Sequence, residues 1–357
     1  MRPLLFNGKF LSAAPTGVHR VAAELIRAID ARLSPADNAE LLVPRDADHP
    51  LPLKSIKRRR IGRLTWQAWE QADLPRLAGP GLLLNLCNLG PIWRRDAITM
   101  IHDAQVHETP SSYAPAFRAY YNAVQPMIAR RHKAVLTVSE FARSSLIRHG
   151  VADNPFVIPN GGDHALREKA DPLAAAGLGL RSGGYVLALA RAQSHKNIAT
   201  LIEAFAAPRL TDLKLALFGG DALCTIHPNP PANVVHLGRV SDRTLFSLMR
   251  TAAAYACPSR TEGFGLPVIE AMSLGCPVVA APCGALPEIA GGAALYAHPD
   301  QPHEWAEAID LVACRPSLRA RLVQTGAKQA TLYTWAGAAD KLLDLVNGLD
   351  RNPTCAA

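Results

Sequence analysis

The chain has 357 residues, of which 49% are hydrophobic and 19% are charged, and its formal net charge is +8. This globular composition excludes a disordered chain or a coiled coil, and the length predicts two domains rather than one core. The seven cysteines are odd in number and contain no CxxC pair. They argue against a disulfide framework or a structural zinc site and indicate a reducing cytoplasm. The basic charge suits phosphates, nucleic acid or anionic lipid, and composition does not choose among them.

Neither a leader nor a membrane span is expected from the apolar segments. The opening MRPLLFNGKF has only three consecutive apolar residues before Asn7, which is too short for a signal-peptide core. The apolar stretch from Gly275 to Ala297 contains three prolines and Glu288. A stretch interrupted in this way does not predict a spanning helix, so a cytoplasmic protein is expected.

Short apolar runs alternate with amphipathic stretches in the N-terminal half. Helices are predicted after Gly17, where apolar residues recur every four positions, and over Glu140–His149, with Ser139 as N-cap and Gly150 after its end. The predicted strands are Pro3–Phe6, Leu82–Leu86, Ala97–Ile101, Ala134–Val138 and Phe156–Ile158.

The same alternation resumes after a connection near Asp163–Leu180. A helix is predicted over Asn197–Ala206, and Tyr333–Leu349 is helical in pattern. The predicted strands are Tyr185–Ala190, Leu213–Phe218, Val234–Leu237, Ala253–Cys257 and Pro277–Ala280. Strands that alternate with helices form parallel sheets. The prediction is therefore an α/β protein with two Rossmann-like domains, residues 1–165 and 166–332, that face each other across a deep cleft.

The strongest motif runs from Pro258 to Met272 and reads PSRTEGFGLPVIEAM. Gly263 and Gly265 lack Cβ atoms, so the backbone N–H groups of this loop can approach a phosphate at a helix start. Glu262 and Glu270 can accept hydrogen bonds from vicinal hydroxyls of a sugar or ribose. Helix-start electrostatics is the plainer explanation of Glu270. A dinucleotide fingerprint is disfavoured because Val268 stands where the third glycine is needed.

A second motif, ARAQSHKN, places Arg191 and Lys196 beside another helix start. Two cations there oppose the helix dipole, which makes sense if a diphosphate lies between them. The alternative is a solvated basic loop.

The N-terminal half offers weaker signals. His102 and Asp103 follow a predicted buried strand, where either could contact a sugar hydroxyl or move a proton. A structural histidine is the alternative. The small-residue loop before Gly17 could approach a ligand, although a lone glycine turn is often only a turn.

Six cations lie between Lys54 and Arg63, and Trp66 and Trp69 follow. A basic segment with tryptophans fits docking to an anionic membrane surface, and a solvated helix face explains it equally well. Nucleic acid is disfavoured because no nucleic-acid-binding motif accompanies the charge.

With these motifs, the chain resembles the retaining glycosyltransferases of family 4, which have the GT-B fold and belong to the glycosyl transferases group 1. The resemblance is strongest in PSRTEGFGLPVIEAMSLGCPVVAAPCGALPEIAGGAALY, and HLGRVSDRTLFSLM, LTVSEFARSSLI and VIPNGGD are also similar. His164 and Ala165 depart from the family pattern after the NGGD turn, which affects the linker more than the chemistry.

The resemblance implies that the second domain, residues 166–332, binds a nucleoside-diphosphate sugar as the donor and that the first domain, residues 1–165, binds the acceptor. It implies that Arg191 and Lys196 hold the diphosphate, that Glu270 binds the ribose and that Glu262 contacts the sugar. The remaining implied contacts are the loop residues Gly263, Phe264, Gly265 and Leu266, the backbone at Val240 near the base, His102 near the transferred sugar, and the loop at Gly17. The C-terminal segment 333–357 is expected to cross back to the first domain.

The expected reaction is transfer of a mannose-like or glucose-like hexose, with retention, to a glycan or polyprenyl-linked acceptor in surface polysaccharide biosynthesis. His102, Glu262, Arg191 and Lys196 are the expected catalytic residues, and neither a metal ion nor a cofactor is expected. A peripheral position on the inner membrane face, through Lys54–Trp69, is a further expectation. The alternatives are a non-catalytic nucleotide-sugar-binding subunit and a GT-B sugar epimerase.

Overall fold

The structure, a computed structural model, describes the backbone of residues 2–351 and the side chains of residues 2–349. The described chain forms two compact units. The first comprises the residues up to Asn160 together with a helix near the C-terminus, and the second comprises residues 161–334. The boundaries predicted from the sequence are 165/166 and 332/333. Both sheets are parallel and are flanked by helices, so the prediction of two Rossmann-like α/β domains is confirmed.

The first unit contains a seven-stranded sheet with the order β3-β2-β1-β4-β5-β6-β7. Its strands are β1 (Leu4–Asn7), β2 (Ala39–Val43), β3 (Lys57–Arg60), β4 (Leu82–Asn85), β5 (Ala97–Met100), β6 (Ala134–Thr137) and β7 (Phe156–Val157). Its helices up to this point are α1 (Gly17–Asp30), α2 (Trp66–Ala68), α3 (Leu74–Leu77), α4 (Gln105–Glu108), α5 (Pro115–Arg131) and α6 (Glu140–Arg148). The central strands β1 and β4 are fully buried, as expected for a parallel sheet covered on both faces.

The predicted caps of α6 are present. The hydroxyl of Ser139 accepts a hydrogen bond from the N–H of Ala142 at 3.0 Å, and Gly150 has a φ of +63° after the helix. This left-handed conformation favours glycine, so the sequence defined both ends of the helix.

The second unit contains a six-stranded sheet with the order β10-β9-β8-β11-β12-β13. Its strands are β8 (Tyr185–Leu189), β9 (Lys214–Phe218), β10 (Val234–Gly238), β11 (Ala254–Cys257), β12 (Val278–Ala280) and β13 (Ala294–Tyr296). Its helices are α7 (Ala174–Gly177), α8 (Ile198–Ala204), α9 (Leu223–Ile226), α10 (Asp242–Thr251), α11 (Leu266–Ser273), α12 (Leu286–Ala290), α13 (Pro302–Cys314) and α14 (Pro316–Ala330). Trp305 on α13 is fully buried in the core of this unit.

The last described helix, α15 (Trp335–Arg351), belongs to the first unit. It packs against α1, and Arg32 forms an ion pair with Asp340 and donates to the carbonyl of Ala336 at 2.7 Å. Residues 352–357 of the predicted C-terminal segment lie outside the described residues. Among residues 2–351, no helix is long and apolar enough to cross a membrane.

The basic segment is not a helix face. Lys57–Arg60 forms β3 at one edge of the first sheet. Arg58 and Arg60 donate to the carbonyl of Ala47, whereas Arg59 donates to Glu40 and to the carbonyl of Ala78. The prediction of a solvated helix face is therefore wrong, because Lys57–Arg60 is an edge strand whose arginine side chains donate to neighbouring carbonyls.

Candidate functional site

Each sheet has one point where the strand order reverses. In the second unit this topological switch point lies between β8 and β11, because the chain runs outward to β10 from one side and to β13 from the other. Ligands of open α/β sheets bind beyond the carboxyl ends of the strands at such a point. The ARAQSHKN loop follows β8, and the PSRTEGFG loop follows β11. The two strongest sequence motifs therefore meet at the place where the topology favours a ligand.

Lys196 and Glu262 are in direct contact at this switch point. The Nζ atom of Lys196 donates to Oε1 of Glu262 at 2.8 Å, and the hydroxyl of Ser259 donates to the same oxygen at 2.7 Å. Both charged side chains retain a small exposed fraction, 17% for Lys196 and 15% for Glu262. The pair is thus largely buried and still reachable from solvent.

Glu262 is held in its ionised form. Burial opposes its charge, but the positive charge of Lys196 and the hydrogen bonds from Lys196 and Ser259 outweigh burial and lower the pKa of the carboxyl. An ionised carboxylate accepts hydrogen bonds from hydroxyl groups, which is the role that the sequence predicted for Glu262.

Arg191 lies closer to solvent than Lys196. Its guanidinium is 4.0 Å from Asp221, whose other carboxylate oxygen accepts a hydrogen bond from the N–H of Ala192 at 2.8 Å. The sequence suggested that Arg191 and Lys196 are two cations that need a bound anion. In the structure, the carboxylates of Asp221 and Glu262 already compensate part of this charge, so the two cations indicate a bound anion less strongly than the sequence suggested.

Glu270 contacts His164, a residue that the sequence assigned to the linker. Its Oε1 atom is 2.8 Å from Nε2 of His164, and both side chains are buried. Gly162 makes this contact feasible, since a Cβ there would lie 2.9 Å from Ile269 on α11. His164 therefore connects the segment after the NGGD turn to the predicted ribose-binding carboxylate.

The loop between Glu262 and α11 is shaped by two glycines with left-handed backbones. Gly265 has a φ of +85° and immediately precedes α11, in which Pro267 occupies the first turn as predicted. Gly284, from the loop after β12, has a φ of +62°, and a Cβ there would lie 2.5 Å from the amide nitrogen of Glu262. The N–H of Ala285 also donates to the carbonyl of Glu262 at 2.9 Å. The backbone that carries Glu262 is therefore fixed from both sides.

The other predicted donor residues have more varied surroundings. Phe264 is buried and meets Tyr333 edge to face, with the ring centroids 5.6 Å apart. Leu266 begins α11, and Gly263 lies between Glu262 and Phe264. Val240 follows β10 just before Ser241, the N-cap of α10. The structure thus keeps Gly263, Phe264, Gly265 and Leu266 on the same loop as Glu262 and places Val240 after another strand of the same sheet.

His102 lies in the first unit, two residues after the end of β5. Its Nε2 atom is 2.9 Å from the carbonyl of Leu86, so Nε2 carries the proton in this contact, and its backbone N–H donates to Asn88 at 2.8 Å. Burial lowers the pKa of His102 to about 4. A neutral imidazole is therefore present at neutral pH, which makes it a hydrogen-bonding group rather than a cation.

Gly17 also lies in the first unit and begins α1 after Thr16, whose hydroxyl accepts from the N–H of His19 at 3.4 Å. A Cβ at Gly17 would meet no described atom within 4 Å. The space beside this residue is therefore open to a ligand.

The sequence did not identify three residues that contact the predicted donor-site residues, namely Ser259, Asp221 and His164. Ser259 lies inside the quoted motif, and a hydroxyl three residues before Glu262 was a usable signal. The sequence gave no signal for Asp221 or His164, because each lies far along the chain from the residue that it contacts. His164 and Glu270, for example, are 106 residues apart.

Comparison with known proteins agrees with the geometry. Residues 181–329 match the family model described as glycosyl transferases group 1. The O-antigen chain mannosyltransferase B of Escherichia coli is 29% identical over 297 residues, covering 78% of this chain and 76% of that protein. The D-inositol 3-phosphate glycosyltransferase of Saccharomonospora viridis is 38% identical over 106 residues, 28% of this chain and 24% of that protein. The MMP alpha-(1->4)-mannosyltransferase of Mycolicibacterium hassiacum is 28% identical over 246 residues, covering 63% of this chain and 57% of that protein.

Solved structures share the fold over nearly the whole chain. Sucrose-phosphate synthase from Thermosynechococcus elongatus has a TM-score of 0.75 at 19% identity, covering 98% of this chain and 100% of that one. Anabaena HepE in complex with UDP and glucose has a TM-score of 0.73 at 18% identity, with the same coverage. The fold and the family match together define the class of protein, which is a glycosyltransferase of the GT-B fold. Within that class, residues 181–329 match the glycosyl transferases group 1, so the expected resemblance to group 1 is confirmed.

Proposed function

We propose that this protein is a retaining glycosyltransferase of family 4 that transfers a hexose from a nucleoside-diphosphate sugar to a glycan or lipid-linked acceptor. The observation that carries the proposal is the hydrogen bond between Lys196 and Glu262 at the switch point of the second sheet. It brings a cation suited to a diphosphate and an ionised carboxylate suited to a sugar into one small volume.

The chemistry follows from where negative charge develops. Cleavage of the donor's anomeric bond places charge on the departing diphosphate, and groups that bind this charge more strongly as it grows lower the barrier. Lys196, Arg191 and the first N–H groups of α11 are the groups we assign to this task. Fixed cations and amides can supply this stabilisation, so we propose a reaction that needs neither a metal ion nor another cofactor.

Two further roles complete the donor site. We assign Glu262 to the hydroxyls of the hexose and Glu270, braced by His164, to the ribose. Gly263, Phe264, Gly265 and Leu266 surround the phosphates, and the backbone at Val240 meets the base.

His102 and the loop at Gly17 are assigned to the transferred sugar from the first unit. The Nε2–H group of His102 is engaged by the carbonyl of Leu86. Its Nδ1 atom therefore suits a hydrogen bond from a sugar hydroxyl, and His102 takes no part as a cation.

Mannose is the hexose that the relatives favour. Two of the proteins described above are mannosyltransferases, and one of them acts on an O-antigen chain according to its name. HepE binds UDP and glucose, which supports a nucleotide-sugar donor. We therefore propose mannosyl transfer in surface polysaccharide biosynthesis, with a glucosyl donor as the second choice.

Membrane association rests on a smaller surface than the sequence suggested. Trp69 is buried, and its indole N–H donates to the carbonyl of Ile61 at 2.7 Å. Trp66 and Leu64 are exposed, as are Lys54 and Arg63. We propose that these exposed side chains contact an anionic membrane on the cytoplasmic side.

A thermal-shift screen of nucleotide sugars tests the donor site. A ligand at a hundred times its dissociation constant stabilises the folded protein by about 2.7 kcal/mol. We expect GDP-mannose or UDP-glucose to stabilise the wild type and Lys214→Met, and to lose this effect in Lys196→Met. Lys214 is the matched control, because it lies in the same unit and its Nζ atom donates only to the carbonyl of Gly179 at 2.9 Å among the hydrogen bonds described. Equal stabilisation of Lys196→Met would contradict the diphosphate assignment.

Turnover separates a transferase from a binding subunit or an epimerase. A transferase releases nucleoside diphosphate when an acceptor is present, and the new linkage keeps the donor's anomeric configuration in an NMR spectrum of the product. Donor binding without release would indicate a binding subunit, and conversion of the donor sugar without an acceptor would indicate an epimerase.

A further inference from the structure

Asn197 is the residue of the ARAQSHKN loop that directly follows Lys196 and precedes α8. Its backbone is left-handed, with a φ of +54° and a ψ of +30°, and only 7% of the residue is exposed. Glycine adopts this conformation most readily, and asparagine is one of the few other residues that tolerate it. The backbone alone would therefore accept glycine at this position, so the side chain of Asn197 needs a separate explanation.

Every hydrogen-bonding position of the Asn197 amide is occupied. Its Nδ2 group donates to the carbonyl of Pro258 at 3.1 Å and to the carbonyl of Pro299 at 2.6 Å. Its Oδ1 atom accepts from the hydroxyl of Thr200 at 2.9 Å and from the guanidinium of Arg260 at 3.0 Å. A primary amide has two N–H donors and two acceptor lone pairs, so it has no further capacity for a ligand. Asn197 therefore acts on other protein groups and not on the substrate.

These hydrogen bonds join three loops at the carboxyl end of the second sheet. Asn197 belongs to the loop after β8, Pro258 follows β11 directly, and Pro299 lies three residues after β13. The backbone N–H of Arg260 also donates to the carbonyl of His195 at 2.7 Å, which brings the loops after β8 and β11 into direct contact. The side chain of Asn197 thus links the two loops at the switch point to each other and to a third loop.

The same two loops carry the charged groups that we assign to the donor. Lys196 is the residue before Asn197. Pro258 is the residue before Ser259, whose hydroxyl donates to Oε1 of Glu262 at 2.7 Å. Lys196 donates to the same oxygen atom at 2.8 Å. The distance between the cation and the carboxylate therefore depends on how far apart the two loops lie, and the amide of Asn197 bridges these loops.

We propose that Asn197 is a positioning residue for glycosyl transfer, because its amide fixes the spacing between the loop of Lys196 and the loop of Glu262. This inference rests on the proposed function and adds a residue that acts through Lys196 and Glu262 without touching the substrate. A cation stabilises a departing diphosphate best when it is already in place. Loops that must first reorganise would therefore bind the donor more weakly.

Asn197→Gly separates the two properties of this residue, because it keeps the left-handed backbone and removes the hydrogen bonds of the amide. We expect it to bind the preferred donor, GDP-mannose or UDP-glucose, at least tenfold more weakly than the wild type in calorimetric titrations. Asn233→Gly is the matched control. The amide of Asn233 donates to the carbonyls of Phe205, Leu210 and Leu213, but the residue precedes β10 at the amino end of the same sheet. Its donor affinity should stay within twofold of the wild type.

A measurement on the Lys196–Glu262 pair distinguishes positioning from a loss of stability alone. Lys196→Met lowers the melting temperature of the wild type because it breaks this pair. We expect the same substitution to lower the melting temperature less than half as much in Asn197→Gly, where the two loops are no longer held together, and by the full amount in Asn233→Gly. Equal decreases in all three backgrounds, or a donor affinity of Asn197→Gly within twofold of the wild type, would overturn the proposal.

Arg260→Lys replaces Asn197→Gly if the glycine variant does not fold. The guanidinium of Arg260 bonds to Asn197 and pairs with Asp300, and its side chain is 43% exposed. Lysine keeps the positive charge but lacks the planar fork that bridges the two partners. Donor affinity should fall at least threefold, and unchanged affinity would refute the proposal. A wild type that binds neither nucleotide sugar refutes the proposed function itself, whereas variants that bind the donor as tightly as the wild type refute the role of Asn197 alone.

Discussion

Removal of Lys196 should have two effects that can be measured separately. It should destabilise the second unit, because Glu262 loses its ion-pair partner, and it should abolish donor binding, because the diphosphate loses a cation. In Lys196→Met the carboxylate of Glu262 stays largely buried and keeps only the hydrogen bond from Ser259 that the structure shows. Breaking a buried ion pair by removing one partner typically costs about 3–5 kcal/mol. The buried Glu262 can avoid this cost by taking up a proton. Protonating a carboxyl at pH 7 costs about 1.4 kcal/mol for each pH unit above its ordinary pKa of about 4.3, so the destabilisation cannot exceed about 3.7 kcal/mol.

The expected loss is therefore about 3 kcal/mol, which lowers the melting temperature of a unit of this size by about 6–12 °C. The double variant Lys196→Met/Glu262→Gln removes the orphaned charge. It should regain most of the stability and none of the donor binding. Differential scanning calorimetry and the nucleotide-sugar thermal shift measure the two effects on the same proteins.

The pH dependence gives an independent check of the pair. The pKa of Glu262 is lower in the folded protein than in the unfolded chain, so its contribution is complete above the ordinary glutamate pKa of about 4.3. The contribution is lost as the pH falls through the lower, folded-state pKa. The difference in melting temperature between wild type and Lys196→Met should thus shrink toward acidic pH. Equal melting temperatures at pH 7 would show that the pair does not form in solution, and the argument for a buried Lys196–Glu262 contact would fail.

Three other outcomes are expected. Gly284→Ala should weaken donor binding at least tenfold in calorimetric titrations, because its Cβ would lie 2.5 Å from the amide nitrogen of Glu262. Gly275→Ala is the control and should leave donor binding unchanged. Gly275 has a similar φ of +72°, but the atom nearest to its Cβ would be 3.7 Å away. The pKa of His102 is about 4 in the folded protein, which is below its unfolded value, so the unfolded chain binds the proton first as the pH falls. His102 should therefore lower the free energy of unfolding by about 2 kcal/mol between pH 7 and pH 5. Urea titrations should show a smaller decrease for His102→Phe. Transfer should persist in excess EDTA, and loss of activity that added Mg²⁺ restores would refute metal independence.

The sequence determined the features that depend on neighbouring residues. Buried strands such as β4 read as apolar runs, Ser139 and Gly150 define the ends of α6, and Pro267 sits in the first turn of α11 as its fixed φ requires. The sequence identified the loop before α11 by Gly263 and Gly265, and the structure shows that Gly265 has a left-handed backbone that few other residues adopt.

Charge patterning was a less reliable guide than chain geometry. The cations around Arg59 suggested either docking to an anionic membrane or a solvated helix face, but Lys57–Arg60 forms an edge strand whose arginines bind nearby carbonyls. The sequence also set His164 aside as part of a linker, although it is the partner of Glu270. Composition reports the charge of a side chain and does not report its distance from an acceptor.

Only the tertiary structure decided which polar groups meet. Lys196 and Glu262 are 66 residues apart, and Lys9 and Glu70 are 61 apart, yet each pair forms at the place where the strand order of its sheet reverses. Local sequence sets the conformation of a strand or a helix start through short-range sterics and hydrogen bonds. The order of strands and the burial of one charge against another depend on packing across the whole sheet, which no short stretch of sequence contains.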